Sequence, residues 1–162
     1  MSMSKSWILP VTLAGLAALG VAAIGGTITD LGPWYEGLNK PDWNPPRAAF
    51  PIAWTTIFAL CVVAFVTAWR NSPSTKVSDT LIGLFAANAF LNIVWSLIFF
   101  RLQRPDWAFF ELILLWLSIL AVMLYCWRLS KVASLLLLPY LAWVTIAGAL
   151  NWQIVQLNGP FG

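Results

Sequence analysis

The side chains that could do chemistry in this chain are aromatic rings and amides rather than acids and bases. Eleven tryptophans stand beside no histidine at all, which removes His-liganded metals, His-ligated haem and every pairing of a nucleophile with imidazole. The two cysteines, Cys61 and Cys126, lie in apolar segments and read as small buried hydrophobes. Three groups remain. Trp34, Tyr35 and Trp43 are crowded into a polar stretch with Pro33, Pro41, Pro45 and Pro46, which fix φ and remove donors, so the rings are presented from a stiff, non-helical connection. Asn88 and Asn92 stand one helical turn apart, and Trp95, Ser96 and Phe99 continue their face. Trp54 with Phe58, and Tyr140 with Trp143, Ala147 and Asn151, repeat the theme on two further segments, Ala147 leaving a gap beside Trp143. Such a set makes an apolar wall with a few hydrogen-bonding points, which is what a small-molecule pocket needs. Each asparagine alone reads more simply as glue between helices, and each ring as packing. As stripes beside one aromatic stretch they read as the walls of a cavity.

Glu111 is the one acidic residue well inside an apolar segment, about 6 Å deep by helical rise. The simpler reading pairs it with Arg101 or Arg104 at the interface. The alternative, a proton relay, needs a second titratable group deeper in the bilayer, and none follows.

These residues must be positioned by elements that suit lipid. The chain is 60% hydrophobic and 9% charged, against about 25% charged in soluble domains. Five apolar stretches, at about 7–29, 50–69, 80–100, 107–127 and 132–157, are each long enough to cross roughly 30 Å of hydrocarbon as a helix. Ser78 or Asp79 would cap the third of them, and Pro139 permits a kink in the fifth. The segment 30–49 is the one long connection and covers what lies beneath it as a lid. The expectation is an all-α, multi-pass integral membrane protein, a single domain over 1–162 built as one bundle of five transmembrane helices with an aromatic, proline-rich loop between the first two. No basic run with interleaved aromatics offers a nucleic-acid surface. Ala14, Ala18, Ala22 and Gly26 form a smooth strip on the first span, suited equally to internal packing or to a homodimer contact.

The lid reads WYxxLxKPxWNPP (Trp34, Tyr35, Leu38, Lys40, Pro41, Trp43, Asn44, Pro45, Pro46). It is followed by FPxAW (Phe50, Pro51, Ala53, Trp54), NxxW (Asn92, Trp95) and PYLAW with a later LN (Pro139 to Trp143, Leu150, Asn151). In these motifs, spread from about residue 30 to 152, the chain resembles the tryptophan-rich sensory protein and translocator protein family (TspO/MBR). The resemblance implies a five-helix membrane protein, commonly a homodimer, that binds porphyrins such as protoporphyrin IX or haem as ligand and requires no cofactor. Bacterial relatives of this kind act as receptors or sensors regulating porphyrin metabolism or stress responses. Light- and oxygen-dependent porphyrin breakdown and transport of porphyrin or sterol-like ligands are the alternatives. Carried over by motif, the ligand site would comprise Tyr35, Trp43, Trp54, Phe58, Asn88, Asn92, Trp95, Trp143 and Ala147, with Trp54 and Trp143 serving any breakdown reaction. The animal members' cholesterol motif, a Tyr followed by a base late in the fifth span, is absent here: that region holds Trp152 and no later Lys or Arg.

Overall fold

Hydrocarbon offers no water to a backbone amide, so a chain this apolar must satisfy its N–H and C=O groups inside helices. A computed structural model describes residues 6–161, and every regular element among them is a helix. Five helical segments are long and apolar enough to span a membrane: Ile8–Ile28, Ala49–Arg70, Thr75–Arg101, Pro105–Leu129 and Lys131–Asn158. The five expected spans are therefore present, in the expected order. They comprise α1 (Ile8–Ile28), α3 (Ala49–Arg70), α4 (Thr75–Ser96) with a π turn at Leu97–Arg101, α5 (Pro105–Leu129), and the pair α6 (Lys131–Leu136) and α7 (Leu138–Asn158).

Beyond shifts of one or two residues at helix ends, three features differ from the sequence expectation. The third span begins at Thr75, because Ser74 takes the cap and its hydroxyl accepts from the Val77 N–H at 3.3 Å. Ser78 is instead a buried helical residue. A cap, rather than the onset of hydrophobicity, decides where the helix starts. The connection after α1 is not wholly non-helical: Pro33–Glu36 forms one turn, α2, with Pro33 in the first-turn position where its fixed φ suits a helix. The stretch from Lys40 to Pro46 contains no helix. The break expected near Pro139 falls at Leu137, between α6 and α7.

Helix α5 is the central post, packed against α4, α6 and α7. Its approach to α7 is close: a Cβ on Gly148 would stand 3.0 Å from Leu112 Cδ2. The core runs through three zones along the bundle, one around Ala64, Leu81, Val122 and Cys126, one around Ile57, Leu115, Ile119 and Val144, and one under the lid around Phe99, Phe100, Leu150 and Ile154. Helix α1 stands apart from this core. It packs against α3 and α4, and Pro10 is its single buried residue.

Candidate ligand site

The lid closes on the third core zone with its own aromatic side chains. Trp34 meets Phe99 edge-on at 5.9 Å between ring centroids, and Tyr35 lies against Phe99 and Phe100 at 6.4 and 5.9 Å. The π turn makes this surface possible. A wider turn shifts the phase of the helix, and the adjacent Phe99 and Phe100 are both buried. Lys40 folds back over the lid, its Nζ donating to the Tyr35 and Leu38 carbonyls at 2.7 and 3.2 Å and standing 4.4 Å above the Tyr35 ring. Burial pushes the Tyr35 phenol above its ordinary range. Few bonds fasten the lid to the bundle. The Asn39 N–H donates to Asn158 Oδ1 while Asn158 Nδ2 donates to the Asn39 carbonyl, both at 2.8 Å.

Beneath the lid is a pocket of about 70 Å³ lined by Tyr35, Phe50, Trp54, Trp95, Phe99, Trp143, Ala147 and Asn151, among others. Trp95 stacks on Phe99 at 5.1 Å, and Phe50 meets Trp143 edge-on at 5.7 Å. Asn151 is fully buried; it accepts from the Trp95 indole N–H at 3.2 Å and donates to the Pro105 carbonyl at 2.8 Å. Of the residues expected from sequence, Tyr35, Trp54, Trp95, Trp143 and Ala147 thus converge on one pocket.

Phe58, Asn88 and Asn92 do not line it. They border a second and larger cavity of about 590 Å³ between α1, α3 and α4. The two are separated by packed rings: Trp54 stacks on Phe58 at 5.8 Å and meets Tyr140 edge-on at 6.1 Å. Tyr140 OH donates to Asn88 Oδ1 at 3.1 Å and accepts from Asn92 Nδ2 at 2.9 Å. Both asparagines therefore also act as interhelical links, as either alone would suggest. Trp43 lines neither cavity and is 48% exposed, beside a turn closed by Asn44 N–H to the Pro41 carbonyl at 3.0 Å. Ala14 and Ala18 of the small-residue strip face the larger cavity, whereas Gly26 is exposed. Sequence reasoning overlooked Phe50 and Phe100 as lining residues. Phe50 lies one turn before Trp54 and was legible by spacing; the inward turn of Phe100 depends on the π turn and left no such signal.

The expected ion pair of Glu111 is not formed. Arg104 binds Asp106 through two bonds of 2.9 and 2.6 Å, which raises the pKa of the guanidinium, and Arg101 donates to the Thr27 carbonyl at 2.9 Å. Asp106 is two residues from Arg104 and takes its fork. Both Glu111 oxygens are buried with no hydrogen-bond partner among the described residues. A buried polar group without a partner costs about 1–3 kcal/mol. Glu111→Met, close in volume and apolar, is therefore expected to stabilise by about 1 kcal/mol, raising the thermal midpoint in nanodiscs by about 2–4 °C. A lowered midpoint would mean that the carboxyl has a partner.

A five-span membrane bundle with an aromatic pocket under a polar, proline-rich lid defines the class. The TspO/MBR family model matches residues 12–157. The chain is 40% identical over 157 residues to the tryptophan-rich protein TspO of Chlorobaculum tepidum, covering 93% of this chain and 97% of that one. It is 35% identical over 156 residues to the tryptophan-rich sensory protein of Cereibacter sphaeroides (96% and 95%), and 31% identical over 159 residues to the translocator protein of Bos taurus (96% and 94%). The chain belongs to the TspO/MBR family.

Proposed function

We propose that the protein is an integral membrane receptor for a flat, hydrophobic tetrapyrrole, bound under the lid, whose occupancy is read out as a signal of tetrapyrrole level or stress. The observation that carries this reading is the convergence of Tyr35, Trp54, Trp95, Phe99 and Trp143 on one lidded pocket. Indole and phenol faces favour a large π-system, and Asn151 and Ser96 supply polar points at the wall. With no histidine in the chain, the macrocycle is held by stacking rather than by imidazole, so metal-free protoporphyrin binds at least as well as haem. Pockets for drug-sized ligands measure about 300–1,000 Å³, so the 70 Å³ pocket is the closed state. Entry requires the lid to lift, breaking the two Asn39–Asn158 bonds and sliding Trp34 and Tyr35 off Phe99.

The test is a tryptophan-fluorescence quenching titration with protoporphyrin IX. Trp143→Ala removes one stacking face and is expected to weaken binding about tenfold, within the roughly 1–3 kcal/mol typical of one stacked aromatic contact. Unchanged affinity would place the ligand elsewhere. A second reading, light- and oxygen-dependent breakdown of the bound porphyrin, is favoured by Trp54 and Trp143 both lining the pocket, where they can donate an electron to the excited ligand. Illuminating the same complexes checks it: decay should slow in Trp143→Phe, and an equal rate would remove that tryptophan from the reaction.

A further inference from the structure

The two ends of the bundle carry basic side chains in equal number among the described residues, but differ in what those side chains touch. At the lid end every one is engaged. Arg47 pairs with Glu36 at 2.8 Å, Arg104 holds Asp106 in its fork, Arg101 donates to the Thr27 carbonyl, and Lys40 donates to carbonyls of its own loop. Four acids, Asp30, Glu36, Asp42 and Asp106, balance these four bases.

The opposite end is built differently. Arg70 closes α3, Lys76 is the second residue of α4, Arg128 is the last but one of α5, and Lys131 opens α6. Helix α4 packs on α5, α5 on α6, α6 on α3 and α3 on α4, so the four bases surround one end of the bundle. All four are exposed, and none forms an ion pair with a described residue. Asp79 is the one acid set against them. The Lys131 Nζ stands 5.3 Å from the centre of the Trp127 ring, which is 47% exposed at the end of its span. An exposed indole at a span end marks the level of the lipid headgroups, and long basic side chains beside it reach into that layer. Four like charges facing one acid repel one another, and their compensation must come from outside the chain.

We propose that this end of the bundle is a docking surface for anionic phospholipids, whose phosphates supply the missing counter-charge. The guanidinium forks of Arg70 and Arg128 can each take two oxygens of a phosphodiester, and Lys76 and Lys131 act as point charges between them. A lipid with net negative charge is preferred over a zwitterionic one, because a choline group would bring a cation back into the ring. The surface lies at the far end from the lid pocket and does not rest on the tetrapyrrole reading.

The test is electron paramagnetic resonance of spin-labelled phosphatidylglycerol and phosphatidylcholine, with the full chain reconstituted in phosphatidylcholine bilayers. The motionally restricted fraction gives the association of each lipid with the protein. At about 0.01 M salt, where the screening length is about 30 Å, phosphatidylglycerol should associate about twofold or more over phosphatidylcholine, averaged around the bundle. At about 1 M salt, where it is about 3 Å, the preference should vanish. Arg70→Gln with Lys76→Gln, and Arg128→Gln with Lys131→Gln, should each reduce the preference by about half, and all four together should abolish it. Glu36→Gln with Arg47→Gln removes a lid-end pair without changing the net charge and should leave it intact. Should the fourfold variant not fold, the two double variants and the salt dependence decide. Equal association of the two lipids with the wild type, a preference that survives high salt, or one retained in the folded variants would each overturn the proposal. So would an equal loss in the lid-end control.

Discussion

Ala147→Phe is expected to lower the affinity for protoporphyrin IX at least a hundredfold, about 2.7 kcal/mol, with little change in the thermal midpoint. Ala147 lines the lid pocket next to Trp143 on α7 and is only partly buried. The whole free space there is about 70 Å³, comparable to a phenyl group. The new ring would occupy the space that the lid must clear for a ligand, and it would do so with the lid still closed. The effect exceeds that of Trp143→Ala because truncation removes one stacking partner and leaves the others, whereas filling removes the site. The fold should tolerate the change because the ring extends into empty space rather than into the close contact one residue on, where Gly148 meets Leu112. Quenching titrations give the affinity, and the unchanged thermal midpoint serves as proof of an intact bundle. Wild-type protoporphyrin affinity in this variant would mean that the tetrapyrrole does not bind under the lid.

The two cavities show where sequence stops being informative. Hydrophobic length sufficed for five spans, and spacing sufficed to put Asn88, Asn92 and Trp95 on one face of α4. Spacing could not reveal that this face would serve two rooms. What divides it is a contact with another helix: Tyr140 comes in from α7, bonds both asparagines and packs edge-on against Trp54. Neighbour relations between helices are not written in the period of either one. Trp43 makes the complementary point. Its motif marks the lid correctly, but the direction of a side chain in a proline-bounded turn depends on a few dihedrals, and this one faces outward. Glu111 failed for a third reason. Its expected partners were within reach along the chain, yet a nearer carboxylate, Asp106, captured Arg104.

Asn151→Leu is expected to cost about 2–3 kcal/mol, more than the loss of one average hydrogen bond in a bilayer, which is about 0.6 kcal/mol with a maximum near 1.7. Asn151 joins three spans at one point: it lies on α7, accepts from Trp95 on α4 and donates to the carbonyl of Pro105 at the start of α5. It is 1% exposed, so water cannot replace what leucine lacks. The substitution removes two bonds and strands an indole N–H in apolar surroundings, and stranding accounts for much of the cost. Trp95→Phe separates the contributions. It deletes the donor, leaves Asn151 bonded to Pro105, and should cost about 1 kcal/mol. In the double variant no indole N–H is left to strand, so its cost should fall short of the sum of the single costs by about 1 kcal/mol. Thermal unfolding of all four proteins in nanodiscs closes the cycle, with about 2–4 °C expected per kcal/mol for a chain of this length. Strict additivity would show that the Asn151–Trp95 bond contributes nothing, and that Trp95 is held under the lid by its stack on Phe99 alone.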